Sequence, residues 1–366
     1  MSPDPSGLRA QILERLATVN DPEIHRSLVE LGMVKRAEVN DAREASIEIQ
    51  LTTPACPLKG KIREDIEAAL ADLDLAAVEI EFSADVTRRR APDADRQEIP
   101  GVRNVLAVGA GKGGVGKSTI ACNLAIALAQ EGARVGLLDT DIYGPNLPLM
   151  LGITERPIVR DEKIIPIEAH GIRMMSIGLL ISEEEPVIWR GPMLHTAVRQ
   201  FLFDVAWGEL DYLVVDMPPG TGDVSLSMSQ TVPVTGAVVV CTPSAVAVQD
   251  VRKAVRMFAQ LQIPVLGLVE NMRGFVCPHC GEATDIFSSG EAEAMARQMH
   301  IPYLGHVPLS PEVRAAGDTG RPLQVVAKDG PIASIFSGIA RNLAGQVAVA
   351  NFQSHRDSLV QIDVPE

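Results

Sequence analysis

Three observations predict an α/β chain built on a mostly parallel sheet, with a small α+β domain in front of it. From residue 101 onward, short and nearly continuous apolar runs alternate with helical patterns, at 104–110, 135–138, 212–216, 237–242, 265–271 and 303–307. Runs of that kind suit strands buried on both faces, as in a parallel sheet covered by helices. Before residue 87 apolar and polar residues alternate on a smaller scale, so those strands bury one face only. The third observation is Gly111-Lys112-Gly113-Gly114-Val115-Gly116-Lys117-Ser118, set between the first apolar run and a helical pattern. It reads as a phosphate-binding P-loop in its proper strand–loop–helix context.

Taken in order, Leu8, Ile12, Leu13 and Leu16 recur at helical spacing, and Ile47, Ile49 and Leu51 alternate with Glu48 and Gln50. A second helical pattern covers 59–73, and Val78, Ile80 and Phe82 alternate with Glu79 and Glu81. Residues 1–86 therefore read as the α+β module. Residues 87–100, rich in Arg, Asp, Ala and Pro, read as a linker, within which Arg88-Arg89-Arg90 is a short solvated basic run. The main domain spans 101–346, with helices expected at Lys117–Gln130, 246–261 and 291–299. Residues 347–366 mix charges without a clear helical face and read as a tail that offers no membrane-binding helix.

Composition narrows the function classes. The 366 residues are 46% hydrophobic, enough for a large core, yet no run approaches the roughly 18 to 20 apolar residues of a membrane span. The opening Met1-Ser2-Pro3-Asp4-Pro5 lacks the basic and apolar regions of a leader, so a soluble cytoplasmic protein is expected. A formal charge of −14, from 33 Lys plus Arg against 47 Asp plus Glu, opposes nonspecific nucleic-acid binding. Five cysteines, an odd number, argue for reduced thiols rather than a disulfide framework. Cys122 and Cys241 fall in apolar surroundings and are expected to be buried.

The P-loop spacing carries its own chemistry. Gly111, Gly113, Gly114 and Gly116 let successive backbone N–H groups, that of Val115 included, turn inward around phosphate oxygens. Lys117 reaches the β and γ phosphates, the Ser118 hydroxyl ligates Mg²⁺, and Thr119 opens a helix whose positive end faces the anion. Lys112 cannot share the position of Lys117 and is either solvated or committed to something outside its own loop. Ligands in such sheets bind at the carboxyl ends of strands, where Asp139-Thr140-Asp141 and Asp216-Met217-Pro218-Pro219-Gly220-Thr221-Gly222-Asp223 follow apolar runs. Asp216 suits Mg²⁺ and Asp141 or Asp139 suits orientation of an attacking water, while Gly220 and Gly222 would let the second loop move as the γ-phosphate leaves. Asn271 and Pro308 end two further runs, where either could border the base of a nucleotide.

Cys277-Pro278-His279-Cys280 lies in a glycine-flanked loop and supports three readings. Two thiolates are half a zinc site with no second half in the chain. A redox pair is possible chemically, although the thioredoxin arrangement places its pair at a helix start. Two chains could each donate two cysteines and complete the four thiolates of a [4Fe–4S] cluster.

Six segments resemble, in order, the Mrp/ApbC family of ATP-dependent iron–sulfur cluster carriers, among the deviant-Walker ATPases that include MinD, ParA and the nitrogenase iron protein. They are the P-loop, the run from Leu138 to Asn146, Trp189-Arg190-Gly191-Pro192-Met193, the run from Asp216 to Asp223, Glu270-Asn271-Met272, and Cys277 to Cys280. Asn20-Asp21-Pro22-Glu23, Leu31-Gly32-Met33-Val34 and Leu51-Thr52-Thr53-Pro54-Ala55-Cys56-Pro57 resemble a domain associated with iron–sulfur assembly, whose characteristic cysteine Cys56 matches. The resemblance implies ATP, Mg²⁺, a homodimer, and a [4Fe–4S] cluster held across the two-fold axis by Cys277 and Cys280. It further implies that Lys112 reaches the partner's nucleotide, that Asp139 and Asp141 flank the nucleophilic water and Mg²⁺, and that Asn271 faces adenine. Apo iron–sulfur proteins and assembly factors are the implied partners, with no nucleic acid and no membrane. The competing readings are a positioning ATPase of the ParA/MinD kind and a dithiol oxidoreductase using Cys277 and Cys280.

Overall fold

A computed structural model describes residues 5–88, 96–141, 144–180, 191–220, 223–277, 279–287 and 290–360. It divides into two compact units, 1–87 and 88–366. In the first unit the elements run α1 (Pro5–Leu16), β1 (Val34–Val39), β2 (Glu44–Leu51), α2 (Lys59–Leu70) and β3 (Ala77–Ala84). The sheet order is β1-β2-β3, the first pair antiparallel and the second parallel. Ile47, Ile49 and Leu51 point to one side and meet Ile12, Leu16, Ile62 and Ile66 of the two helices. This is the one-sided burial that the alternation predicts.

The second unit opens with β4 (Val102–Ala110), α3 (Lys117–Gln130), β5 (Val135–Asp139) and α4 (Leu147–Leu151), then the short strands β6 (Val159–Arg160), β7 (Lys163–Ile164) and β8 (Ile167–Ala169). It continues with β9 (Ile172–Ser176), α5 (Gly191–Phe203), β10 (Leu210–Asp216), α6 (Asp223–Thr231), β11 (Gly236–Cys241) and α7 (Ala245–Gln260). The last elements are β12 (Val265–Val276), β13 (Ala283–Thr284), α8 (Glu291–Gln298), β14 (Tyr303–Leu309), α9 (Pro311–Asp318), α10 (Leu323–Val326) and α11 (Pro331–Val360). The large sheet is ordered β13-β12-β11-β4-β10-β5-β9-β8, with β14 also paired to β12. Among the described residues only β8 and β13 pair antiparallel within it.

Side chains alternate across these strands. Val105, Ala107, Leu213 and Val239 join a core with α5, α6, α7 and α8, while Leu106, Val108 and Val214 are buried on the opposite face. There α3 and α11 pack on the sheet and on each other. Burial on both faces is why the strands read as unbroken apolar runs. All six expected strands are present. A seventh parallel strand, β9, pairs with β5 and is not apparent in the apolar pattern.

Two boundaries differ from the sequence reading. The supposed tail from 347 continues α11 to Val360, because Val347 and Ala348 remain on its buried face and Asn351 donates through Nδ2 to Asn104 Oδ1 at 2.9 Å. This helix is long and apolar enough to cross a membrane by composition, but Phe336, Ile339, Leu343 and Ala344 are buried in the unit. Within 87–100, Arg89 and Arg90 lie outside the described residues. Residues 96–100 belong to the second unit: Ile99 is buried, and the Gln97 N–H donates to the Thr231 carbonyl at 3.1 Å.

Candidate functional site

The loop between β4 and α3 turns through Gly114 and Gly116, whose φ values of +76° and +81° lie in the left-handed region that glycine tolerates. A Cβ on Gly116 would also stand 2.2 Å from Asn271 Nδ2, so close approach excludes any other residue. Asn271 holds that approach by donating through Nδ2 to the Val115 carbonyl at 2.8 Å. Val115 itself is buried behind the loop, and Gly111 is pressed against the Asp250 carbonyl, where a Cβ would sit at 2.3 Å. The loop thus faces a cleft of about 440 Å³ with Gly113, Gly114, Gly116, Lys117, Ser118 and Thr119. Lys112, Asp141, Asn271 and Pro308 line the same cleft.

At the floor, register decides the electrostatics. Asp139 on β5 pairs with Asp216 on β10 and with Ser176 on β9, so two carboxylates end adjacent strands side by side. Lys117, 7% exposed, donates to Asp216 Oδ1 at 2.5 Å and lies 3.4 Å from Ser118 Oγ. Asp216 Oδ2 is buried with no hydrogen-bond partner. Burial pushes the Asp216 carboxyl above its ordinary range against the pull of Lys117. Asp139 is fully buried and accepts from Ser176 Oγ at 3.0 Å and from the Asp141 N–H at 3.0 Å. Burial first, and Asp216 second, push its carboxyl up to about 7. Thr140 donates through both N–H and hydroxyl to the Asp216 carbonyl, joining the two strand ends.

The residues fit a magnesium nucleotide. The glycines of the loop line the cleft, Lys117 supplies a buried cation, and Oδ2 of Asp216, buried without a hydrogen-bond partner, would suit a hard cation. Sequence reasoning quoted Thr140 and Met272 within motifs without giving them a role, and it missed Ser176. The motif residues Ile142, Tyr143, Trp189, Arg190, Thr221 and Gly222 lie outside the described residues, as does Pro278.

The dithiol is not in a simple loop. Strand β12 extends five residues past Asn271 and turns back through 277–282 into β13, pairing Phe275 with Thr284 and Val276 with Ala283. Cys277 and Cys280 therefore occupy a hairpin tip. Its turn is closed by the Cys277 N–H to Glu282 O at 3.0 Å and the Gly281 N–H to Cys277 O at 2.8 Å. Backbone N–H groups of Cys280 and His279 favour the thiolate and lower the Cys277 pKa. Val276, just before Cys277 in the chain, and Ile286 and Phe287, just after β13, are exposed apolar side chains. Among the described residues no three metal-ligating side chains meet.

Cys122 and Cys241 are buried, each pushed up to about 12 by desolvation. In the first unit Cys56 is half-buried, and burial above all pushes its thiol up to about 11. Alkylation of Cys56 at pH 8 should run at least about tenfold slower than in the denatured chain, because the thiolate is the nucleophile. Peptide mapping over a time course checks this; equal rates in the folded and denatured chains would contradict it.

Fold and cleft together define a P-loop NTPase of the parallel-sheet class. The chain belongs to the ParA-type family described as NUBPL iron-transfer P-loop NTPase, which its residues 101–344 match. Residues 9–82 match a second family, described as iron–sulfur cluster assembly protein. An iron–sulfur cluster carrier protein of Deinococcus radiodurans is 50% identical over 341 residues, covering 92% of this chain and 95% of that protein. The Synechocystis carrier protein is 45% identical over 346 residues, 93% and 98% of the two chains. A nucleotide-binding protein of Archaeoglobus fulgidus, solved with ADP, is 38% identical with a TM-score of 0.57, covering 66% of this chain and 96% of that one.

Proposed function

We propose that this chain binds and hydrolyses ATP, and carries a [4Fe–4S] cluster between two copies of itself for transfer to apo-proteins. The observation that carries the reading is a single strand, β12, which holds the P-loop through Asn271 and presents the two cysteines six and nine residues later. The relatives named as carriers support the cargo, and the family supports the nucleotide.

In this reading the loop N–H groups cradle the phosphates, and Lys117 leaves Asp216 to meet the β and γ oxygens. Mg²⁺, held by Ser118 and Asp216, would neutralise phosphate charge. Asp141 faces the cleft and orients the water that bonds to the γ phosphorus as the bond to the β–γ bridging oxygen breaks. Asp139, buried beneath, fixes the Asp141 backbone and is a positioning residue. Lys112, which lines the cleft, would serve a partner's nucleotide in such a dimer, and the exposed apolar Val276, Ile286 and Phe287 would be covered by the same partner.

Cys277→Ser and Cys280→Ser should each reduce bound iron and sulfide after anaerobic reconstitution by more than about tenfold, since a serine hydroxyl is a poor ligand beside a thiolate. Folding should be unaffected because Cys280 is exposed and Cys277 is only half-buried. Full cluster content in either variant would remove the dithiol from the cargo site. A reversible Cys277–Cys280 disulfide with no iron in the parent would replace the carrier reading with a redox one.

A further inference from the structure

The stretch of β12 between the nucleotide cleft and the cysteines is irregular in a specific way. Against β14, Asn271 pairs with Val307 and Phe275 with Leu309, so four residues advance on β12 while two advance on β14. The excess forms a bulge at Met272, Arg273 and Gly274. Met272 has φ +63° and Gly274 φ +70°; a methionine in the left-handed region is held there against its preference by its surroundings. Its neighbours explain how. Met272 lines the cleft, and its methyl would lie 3.8 Å from a Cβ on Gly116. One residue earlier, Asn271 is bonded to the P-loop.

Arg273 pins the other side of the bulge. Its Nη1 donates to Tyr303 Oη at 2.9 Å, and to Glu270 Oε2 and Glu293 Oε2 at 3.3 Å. Tyr303 in turn donates to Glu270 Oε2 at 2.9 Å. Glu270 is fully buried, and its Oε1 has no hydrogen-bond partner. The clamp thus ties together β12, β14 and α8 immediately before the hairpin. Neither the P-loop chemistry nor thiolate ligation requires it. A bulge bends its strand and re-aims the residues beyond it, and beyond this one the strand leads through Phe275 and Val276 to Cys277.

We propose that the Met272–Gly274 bulge transmits nucleotide occupancy to the dithiol hairpin, with Arg273 as the positioning residue that sets the hairpin's direction. Filling the cleft moves the loop–Asn271–Met272 contacts, and the bulge converts that movement into a reorientation of 275–284 about the Arg273 clamp. The proposal rests on the carrier reading for its purpose. Its mechanics do not require a cluster.

Hydrogen exchange across 275–284 of the cluster-free full chain, with and without a non-hydrolysable ATP analogue, tests it. The parent should show at least a severalfold change in hairpin exchange at saturating analogue. Arg273→Gln alone removes the cationic partner of the buried Glu270, so Glu270→Gln/Arg273→Gln is the working variant. It should bind the analogue within about twofold of the parent while its hairpin exchange becomes indifferent to nucleotide. A parent hairpin that does not respond, or a double variant that responds in full, overturns the proposal. A responsive hairpin in a chain that holds no cluster would leave the lever standing and remove the carrier reading instead.

Discussion

Lys117→Ala should hydrolyse ATP at less than about 1% of the parental rate, and it should also unfold more readily. The two effects have separate causes. Removing a cation aimed at charge that grows in the transition state typically lowers turnover by about 10²–10³. The stability effect comes from the ground state, where the Lys117 ammonium is the 2.5 Å partner of an Asp216 carboxylate that is 1% exposed. Breaking one side of a buried pair leaves an uncompensated charge, which costs about 3–5 kcal/mol. Lys117→Ala/Asp216→Asn should therefore recover much of the lost stability and none of the activity. Phosphate release and denaturant titration on the three proteins check both halves. Parental hydrolysis in Lys117→Ala would disprove the assignment of the P-loop, and a double variant no more stable than the single would disprove the buried pair.

Much of this site was legible because its parts obey strict spacing or strict burial. The strands ending at Ala110, Asp139 and Asp216 are apolar on both faces, so the sequence reveals them, and the P-loop glycines are forced by positive φ and close approach. What escaped depends on pairing across the sheet. Ile172-Arg173-Met174-Met175-Ser176 is five residues long and carries two methionines, a weak strand pattern, yet it supplies the hydroxyl that holds Asp139. The division between Asp139 and Asp141 is equally invisible in Asp-Thr-Asp. It comes from where β5 ends, which buries the first carboxylate and leaves the second at the cleft.

The C-terminal helix and the hairpin escaped for a different reason. A buried face that includes Asn351, hydrogen-bonded to Asn104, looks polar in sequence although it is core in the fold. Likewise Arg273 and Gly274 interrupt the apolar run of β12, so the strand appears to stop at Asn271. The clamp of Glu270, Glu293 and Tyr303 that lets an arginine continue it is spread over a separation of 33 positions from Glu270 to Tyr303. Asn271 reads in the sequence as a border of the base site. The structure adds a bond to Val115 that ties it to the phosphate end of the same cleft.

Asp139→Asn should stabilise the nucleotide-free chain at pH 8 and reduce its pH dependence between pH 4 and 8, leaving the part that the raised Asp216 carboxyl contributes. The Asp139 carboxyl, ordinarily near 3.8, is pushed up to about 7 in the folded chain by burial and by Asp216. Below about pH 4 the group is protonated in both folded and unfolded chains. Between pH 4 and 7 the folded chain retains a proton that the unfolded chain has released, so stability falls as pH rises through this window. A displacement of this size corresponds to at most about 4 kcal/mol lost by pH 8. Asparagine keeps the shape, still accepts from the Asp141 N–H, and can donate to Ser176 Oγ where the carboxylate accepted. It introduces no charge for burial to penalise. Both tryptophans, Trp189 and Trp207, lie in the second unit, so their fluorescence in urea reports that unit alone. The parent should lose stability from pH 5 to pH 8, and Asp139→Asn should lose less. If the variant were the less stable of the two at pH 8, the folded chain would have to stabilise the Asp139 carboxylate rather than penalise it, and its role beneath Asp141 would need to be assigned anew.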